Sequence, residues 1–254
     1  MTNLSVNVNK IAWLRNAREG SRPNLVELSQ IIIDAGANGI TVHPRPDLRH
    51  IRPNDVSDLR TLTKTNAIEL NIEGNPSSKS SSIYPGFMQL IKEFRPEQCT
   101  FVPDNDHQLT SDHGWNLFNE SNGLKECIKE ANDLGIRVSL FMDPNKSQIE
   151  KAKDIGADRI ELYTGPYASN PISEVLSSYE TSFKYAKSIG LDVNAGHDLD
   201  SSLLGDVFIR EDDGQDPETD ENVGVDIKGQ IQEYGKEVAY LNTEPTTPYQ
   251  FKRQ

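Results

Sequence analysis

Apolar residues along this chain fall in short clusters, and in four places the spacing changes abruptly from helical to nearly continuous. In the segments DAGANGITV, NDLGIRVSLF, DIGADRIEL and SIGLDVNA, an amphipathic stretch stops at Gly36, Gly135, Gly156 or Gly190, and a run rich in Val, Ile and Leu follows. Glycine just past a helix takes the left-handed conformation that closes the last turn, so each segment predicts a helix-to-strand junction. Before Gly36, Leu25, Leu28, Ile31 and Ile32 follow helical spacing; before Gly135, Leu124, Cys127, Ile128, Ala131 and Leu134 do the same. Each helix is expected to bury that face.

Three further candidate strands, Leu4–Asn7, Ala67–Ile72 and Gln98–Val102, bring the total to seven. Apolar strands alternating with helices imply parallel pairing through right-handed crossovers. Seven in regular alternation favour a TIM-type (β/α)8 barrel of the α/β class over an open doubly wound sheet. No GxGxxG or GxxxxGK[ST] loop follows a strand, which lowers the dinucleotide-binding and P-loop alternatives. The serine-rich stretch from Ser77 to Ser82 is expected to be a flexible loop insertion.

The pattern fails after about Asp200. Between Glu211 and Glu221 the run EDDGQDPETDE holds seven acids and no large apolar residue, so it has no core face to offer. DVFIR and EVAYL could each form a strand, but no amphipathic helix follows either, and the eighth β/α unit is atypical or incomplete. Residues 1–200 are therefore expected to form the barrel body carrying the active site. Residues 201–254 form a divergent acidic segment, partly disordered or an aberrant completion of the barrel.

A length of 254 residues suits one barrel domain, and a composition 35% hydrophobic and 26% charged suits a soluble globular protein. The N-terminus lacks a basic stretch followed by an apolar run, and no apolar run approaches membrane-spanning length, so a cytoplasmic protein without a membrane span is expected. Cys99 and Cys127 form no CxxC pair and are expected to be small buried residues without chemistry. A net charge of -13 argues against nucleic acid as a partner. Against that acidic background, arginine is concentrated twice. Residues 1–22 hold Lys10, Arg15, Arg18 and Arg22 against Glu19, and residues 43–52 hold Arg45, Arg49 and Arg52 against Asp47. The guanidinium fork matches phosphate, so these segments are candidates for an anion pocket.

In a barrel, residues at or just past the carboxyl ends of the strands face the active site. Strand one ends in Asn7, strand two in His43, strand three in Glu73, strand six in Glu161, and strand seven reaches His197. Both arginine-rich segments follow strands one and two, on the same face. Two His and two Glu could bind a metal, but the arginines disfavour a cation and no His-x-His follows strand one. Acid-base catalysis on phosphorylated small molecules, without metal, fits the set better.

These residues stand in six ordered motifs: VNVNKIAWLRNAR at Val6–Arg18, GITVHPRPDLRHI at Gly39–Ile51, LNIEGNP at Leu70–Pro76, FVPD at Phe101–Asp104, RIELYTGPYA at Arg159–Ala168 and VNAGHDL at Val193–Leu199. Over about residues 4–200 the chain resembles the pyridoxine 5′-phosphate synthase family of the deoxyxylulose-phosphate-dependent vitamin B6 pathway. The resemblance implies condensation of 3-amino-2-oxopropyl phosphate with 1-deoxy-D-xylulose 5-phosphate, without a cofactor, in an enzyme expected to form a homo-oligomer. Carried over by position, it implies that His43 and Glu73 accept protons, His197 donates one, and Glu161 stabilises transition states or positions water. It assigns Asn7 and Arg18 to the amino-ketone phosphate and Arg45, His50 and Thr110 to deoxyxylulose phosphate. Asn9, Lys10 and Asp198 complete the implied substrate-binding set. QLTSDHGW, around Thr110, is implied to be a closing loop.

Two departures stand out. Asn9-Lys10 replaces the family's commoner Asp-His pair, and the family's later Gly-His phosphate pair is missing after His197. A barrel that binds a phosphosugar without turnover, and a phosphosugar isomerase or epimerase, are the competing alternatives.

Overall fold

The computed structural model describes residues 3–18, 20–119 and 123–199. In chain order they form β1 (Ser5–Asn7), α1 (Asn9–Asn16), α2 (Leu25–Asp34), β2 (Gly39–Val42), α3 (Pro53–Asn66), β3 (Glu69–Gly74), α4 (Phe87–Phe94), β4 (Gln98–Phe101), α5 (Leu124–Asp133), β5 (Arg137–Met142), α6 (Lys146–Asp154), β6 (Arg159–Tyr163), α7 (Gly165–Ser169), α8 (Ser173–Ser188) and β7 (Asp192–Gly196). Among the described residues the seven strands pair in sequence order, all in parallel. The sheet curls with its helices into part of a barrel, and among the described residues β7 and β1 are its two edge strands. The segment from Glu211 to Glu221 and the candidate strands DVFIR and EVAYL lie outside the described residues.

Side chains alternate across a strand, and here that alternation separates two kinds of chemistry. Ile40, Val42, Leu70, Ile72, Cys99, Phe101, Val138, Leu140, Met142, Ile160 and Leu162 enter the apolar core between sheet and helices. They meet Ile11, Ile32, Leu59, Phe87, Ile128 and Ile149 from the helices. Positions of the opposite parity are mostly polar, Phe141 being an apolar exception, and many of them hydrogen-bond to one another on the inner face. Ser5 Oγ and Thr41 Oγ1 are 2.7 Å apart, Thr100 donates to Asn71 Oδ1 at 3.2 Å, and Arg159 reaches both Gln98 Oε1 and Asn194 Oδ1 at 3.1 Å. Arg137 donates to Gln98 at 3.1 Å and to Glu69 at 2.6 Å. TIM-type barrels are commonly filled with branched aliphatics, so this interior is unusually hydrophilic.

The predicted glycines do end their helices: Gly36, Gly135, Gly156 and Gly190 have φ of 101°, 75°, 99° and 77°. Two more junctions use the same left-handed turn without glycine, at Ala67 (φ 54°) after α3 and Arg95 (φ 47°) after α4. For that reason strand three starts at Glu69 instead of Ala67 and runs on through Gly74.

Three expectations need correction. Ile31 is 44% exposed, because α2 buries Leu25, Ser29 and Ile32, and Ile31 is rotated off that stripe. The stretch Ser77–Ser82 is a bonded turn: Phe87 N donates to the Ser78 carbonyl, Ser81 N to the Tyr84 carbonyl, and Ser78 Oγ to Asp106. Cys99 is buried, but Cys127 is only partly so.

A non-glycine residue in the left-handed region costs about 1–2 kcal/mol, and glycine returns somewhat less than 1 kcal/mol to the unfolded chain. Ala67 is exposed, so replacing its methyl group with hydrogen forfeits little burial. Ala67→Gly is therefore expected to stabilise the fold by about 0.5 kcal/mol, read as a higher denaturant midpoint at unchanged slope.

Candidate functional site

The carboxyl ends of β1, β2 and β3 are tied together by backbone and amide contacts. Val8 N donates to the Thr41 carbonyl at 3.1 Å, Asn9 N to Asn7 Oδ1 at 2.9 Å, and His43 N to Asn9 Oδ1 at 2.9 Å. Asn9 thus fixes the backbone at His43. Asn7 Nδ2 donates in turn to Glu73 Oε2 at 3.4 Å, and His43 Nδ1 lies 3.8 Å from the same oxygen, just beyond hydrogen-bond reach. Both side chains are nearly inaccessible to water. Burial first, then the charge of Arg45, pulls the His43 imidazole well below its usual pKa. Burial, then the carboxylates Glu161 and Asp104, pushes Glu73 well above the usual carboxylate range.

Glu161 lies in the middle of β6, one layer inside the rim and not at the strand end. Thr100 Oγ1 approaches its Oε2 at 3.4 Å. Burial raises its carboxyl to about 7, against the opposing pull of His197 and Thr100. Gly196 makes room for it, since a Cβ there would stand 2.8 Å from Glu161 Oε1.

His197 follows β7 with φ of 94°, and Asp198 after it has φ of 57°. This strained exit is held by Thr164, whose Oγ1 lies 2.7 Å from the Gly196 carbonyl and 2.6 Å from that of His197. The imidazole packs edge-on against Tyr163 at 5.2 Å between ring centroids and beside Phe141 at 6.0 Å. Its Nε2 is 3.1 Å from Thr110 Oγ1. Its Nδ1 is 2.9 Å from Asp198 Oδ2, off hydrogen-bond alignment. His197, and more weakly Lys10, holds Asp198 below the usual carboxylate range.

The structure thus gathers Asn7, Asn9, His43, Glu73, Glu161, Thr110, His197 and Asp198 at one mouth, with Lys10 beside Asp198. His50 and Arg45 join them from the loop after β2. His50 stands edge-on to His43 at 6.4 Å, accepts Ile51 N at Nδ1, and is lowered to about 4 by burial and by Arg45 and Arg49. Arg45 is buried, with Nη2 on Asp104 Oδ2 at 2.6 Å and Nη1 on the Gln108 carbonyl at 3.2 Å. Arg18 is exposed past α1, and among the described residues no hydrogen bond joins it to this set.

The two arginine clusters are not a single anion pocket. Arg15 is buried against Asp55, with Nη2 on Oδ2 at 2.9 Å, and Arg49 pairs with Asp47 at 2.7 Å, so both serve the loop after β2. Sequence reasoning also passed over Thr164, Tyr163, Thr100, Asp104 and Ser111. Thr164 was findable as the first residue past β6, and Thr100 as an inward-parity neighbour of Glu161. Among the described residues, no three His, Cys, Asp or Glu side chains are grouped to hold a metal ion.

A family model described as "Pyridoxal phosphate biosynthesis protein PdxJ" matches residues 4–209. A relative named pyridoxine 5′-phosphate synthase, from Xanthomonas axonopodis pv. citri, is 51% identical over 209 residues, covering 81% of this chain and 82% of its own. Its namesake from Xylella fastidiosa (strain M12) is 50% identical over 212 residues, 82% of this chain and 81% of its own. Among solved structures, the tryptophan synthase α-subunit of Pyrococcus furiosus superposes with a TM-score of 0.51 at 14% identity, covering 80% of this chain and 82% of its own. The deoxyribose phosphate aldolase of Aeropyrum pernix gives 0.50 at 14% identity, over 80% of this chain and 79% of its own. Those two likenesses carry the barrel architecture alone. With half of the aligned residues identical to those relatives and the family model matching residues 4–209, the chain belongs to the PdxJ family of pyridoxal phosphate biosynthesis proteins.

Proposed function

We propose that this protein is a pyridoxine 5′-phosphate synthase. It condenses 3-amino-2-oxopropyl phosphate with 1-deoxy-D-xylulose 5-phosphate, releasing phosphate and water as the pyridine ring closes. Its name-bearing relatives support the activity, and one observation supports the chemistry. Three ionisable side chains with displaced pKa values, His43, Glu73 and Glu161, share one mouth with the His197 imidazole. Joining an amine to a ketone, expelling phosphate and closing a ring each move protons at carbon, nitrogen or oxygen, and a set of groups with separated pKa values can both take and give them.

In this scheme His43, kept neutral by burial and by Arg45, accepts protons together with Glu73. His197 donates one, oriented by Thr164 and by its aromatic neighbours. Glu161 steadies developing charge or holds a water. Asn7 and Arg18 receive the amino-ketone phosphate; Arg45, His50 and Thr110 receive deoxyxylulose phosphate; Asn9, Lys10 and Asp198 complete the substrate-binding set. No cofactor enters the scheme. The compartment we assign is the cytoplasm; among the described residues no helix is long and apolar enough to cross a membrane. A homo-oligomer is supported by exposed Trp13 and Leu14 on α1 and Ile31 on the adjoining α2.

Purified protein given both substrates is expected to yield pyridoxine 5′-phosphate. Ligand-induced stabilisation without product would instead mark a phosphosugar-binding barrel. Glu73→Gln is expected to lower turnover about 100- to 10,000-fold while deoxyxylulose-phosphate binding, measured by calorimetry, stays nearly unchanged. An equal loss of binding would remove Glu73 from the chemistry.

Glu161 supplies a pH test that needs no substrate. Its folded-state pKa, about 7, lies above the ordinary 4.5, so the folded form favours the protonated carboxyl. The resulting stability is complete below pH 4.5 and is lost as pH rises through 7. Glu161→Gln removes this dependence. The variant is expected to gain on the wild type by about 3 kcal/mol between pH 4.5 and 8, measured by denaturant unfolding. A pH-independent difference would contradict the buried-carboxyl assignment.

A further inference from the structure

We infer that Asp104 is a positioning residue that sets the grip on one substrate: through a single buried oxygen it fixes both the Arg45 guanidinium and the loop that carries Thr110. Asp104 lies three residues past β4 and is 3% exposed. Its Oδ2 accepts from Arg45 Nη2 at 2.6 Å and from Ser111 Oγ at 2.7 Å. Its Oδ1 is buried and has no hydrogen-bond partner among the described residues, so the side chain acts through Oδ2 alone. Its backbone is held as well, with the Asp104 carbonyl accepting from Asn75 Nδ2 at 2.9 Å. Three loops, those after β2, β3 and β4, therefore meet at this one residue.

The loop from Asn105 to Ser111 is strung on the same framework. Arg45 Nη1 donates to the Gln108 carbonyl at 3.2 Å, and Arg49 Nη1 to the Gln108 and Leu109 carbonyls at 3.1 Å each. Gln108 Nε2 donates to the Thr110 carbonyl at 2.9 Å. Thr110 then presents its hydroxyl to His197, 3.1 Å away. Moving Asp104 thus moves Arg45 and Thr110 together. Both are assigned above to deoxyxylulose phosphate, and the naming of that substrate rests on the proposed function. Two of the five guanidinium N–H groups of Arg45 are engaged among the described residues, which leaves three directed by Asp104 and available to a phosphate. Asp104 touches no reacting atom in this scheme; it acts through Arg45 and Ser111.

Two variants test this. In Asp104→Asn the charge that holds Arg45 is lost, whereas Ser111→Ala frees the loop and leaves the Arg45 pair intact. Hydrogen–deuterium exchange of amides 106–111 is expected to quicken in both. With Asp104→Asn, KM for deoxyxylulose phosphate should rise about tenfold, with a smaller change in kcat and in KM for 3-amino-2-oxopropyl phosphate; Asp104→Glu, which retains the charge, should recover part of the loss. Unchanged exchange in both variants would overturn the coupling. Equal rises in KM for the two substrates would reduce Asp104 to a general structural role. Should Asp104→Asn fail to fold, Ser111→Ala carries the exchange test by itself. If the wild type forms no pyridoxine 5′-phosphate, the proposed function fails while the exchange measurement still decides the coupling.

Discussion

A parallel strand packed under helices sends alternate residues to opposite faces, and a one-residue slip exchanges the two sets completely. In this protein the exchange would be ruinous. Val42, Ile72 and Ile160 lie in the apolar layer, while their chain neighbours His43, Glu73 and Glu161 face inward. The register that buries the first three is therefore the one that assembles the site. The same alternation places Thr41, Asn71, Gln98 and Thr100 on the inner face, where hydrogen bonds to neighbouring strands keep most of their buried polar atoms satisfied.

Two further carboxylates, Glu161 and Asp104, stand close enough to Glu73 to act on its charge. Glu73 feels both of them in addition to its own burial. Arg45 offsets part of this: it ion-pairs with Asp104, draws on Glu73 and helps to keep His43 uncharged. Across the mouth the balance differs. Asp198 stays readily ionised beside His197 and Lys10, and burial moves Glu161 close to neutrality. One mouth thus holds groups ready to accept protons and groups able to release them.

Much of this arrangement is legible in the sequence because it is local. Glycines 36, 135, 156 and 190 mark four junctions, and residues at strand ends point to Asn7, His43, Glu73 and His197 before any coordinate is known. The junctions at Ala67 and Arg95 were hidden because tertiary packing holds ordinary residues in a glycine-like conformation. The division of labour among the arginines was hidden too. Arg15 and Arg45 look alike in the chain, yet their partners, Asp55 and Asp104, are 40 and 59 positions away. Thr164 was missed for the same reason: its role depends on carbonyls 32 and 33 positions downstream. The acidic segment beyond residue 200 lies outside the described residues, so its expected contribution to the barrel stands as a sequence-based expectation.

The central claim is that these groups form a single mouth which takes a phosphorylated substrate. A crystal structure of the protein with 1-deoxy-D-xylulose 5-phosphate bound tests it most directly. The account predicts phosphate oxygens within hydrogen-bond distance of the Arg45 guanidinium, a sugar hydroxyl or carbonyl against His43 or Glu73, and Thr110 closed over the ligand. A ligand seated at the amino ends of the strands, or outside the sheet with His43 and Glu73 untouched, would contradict it.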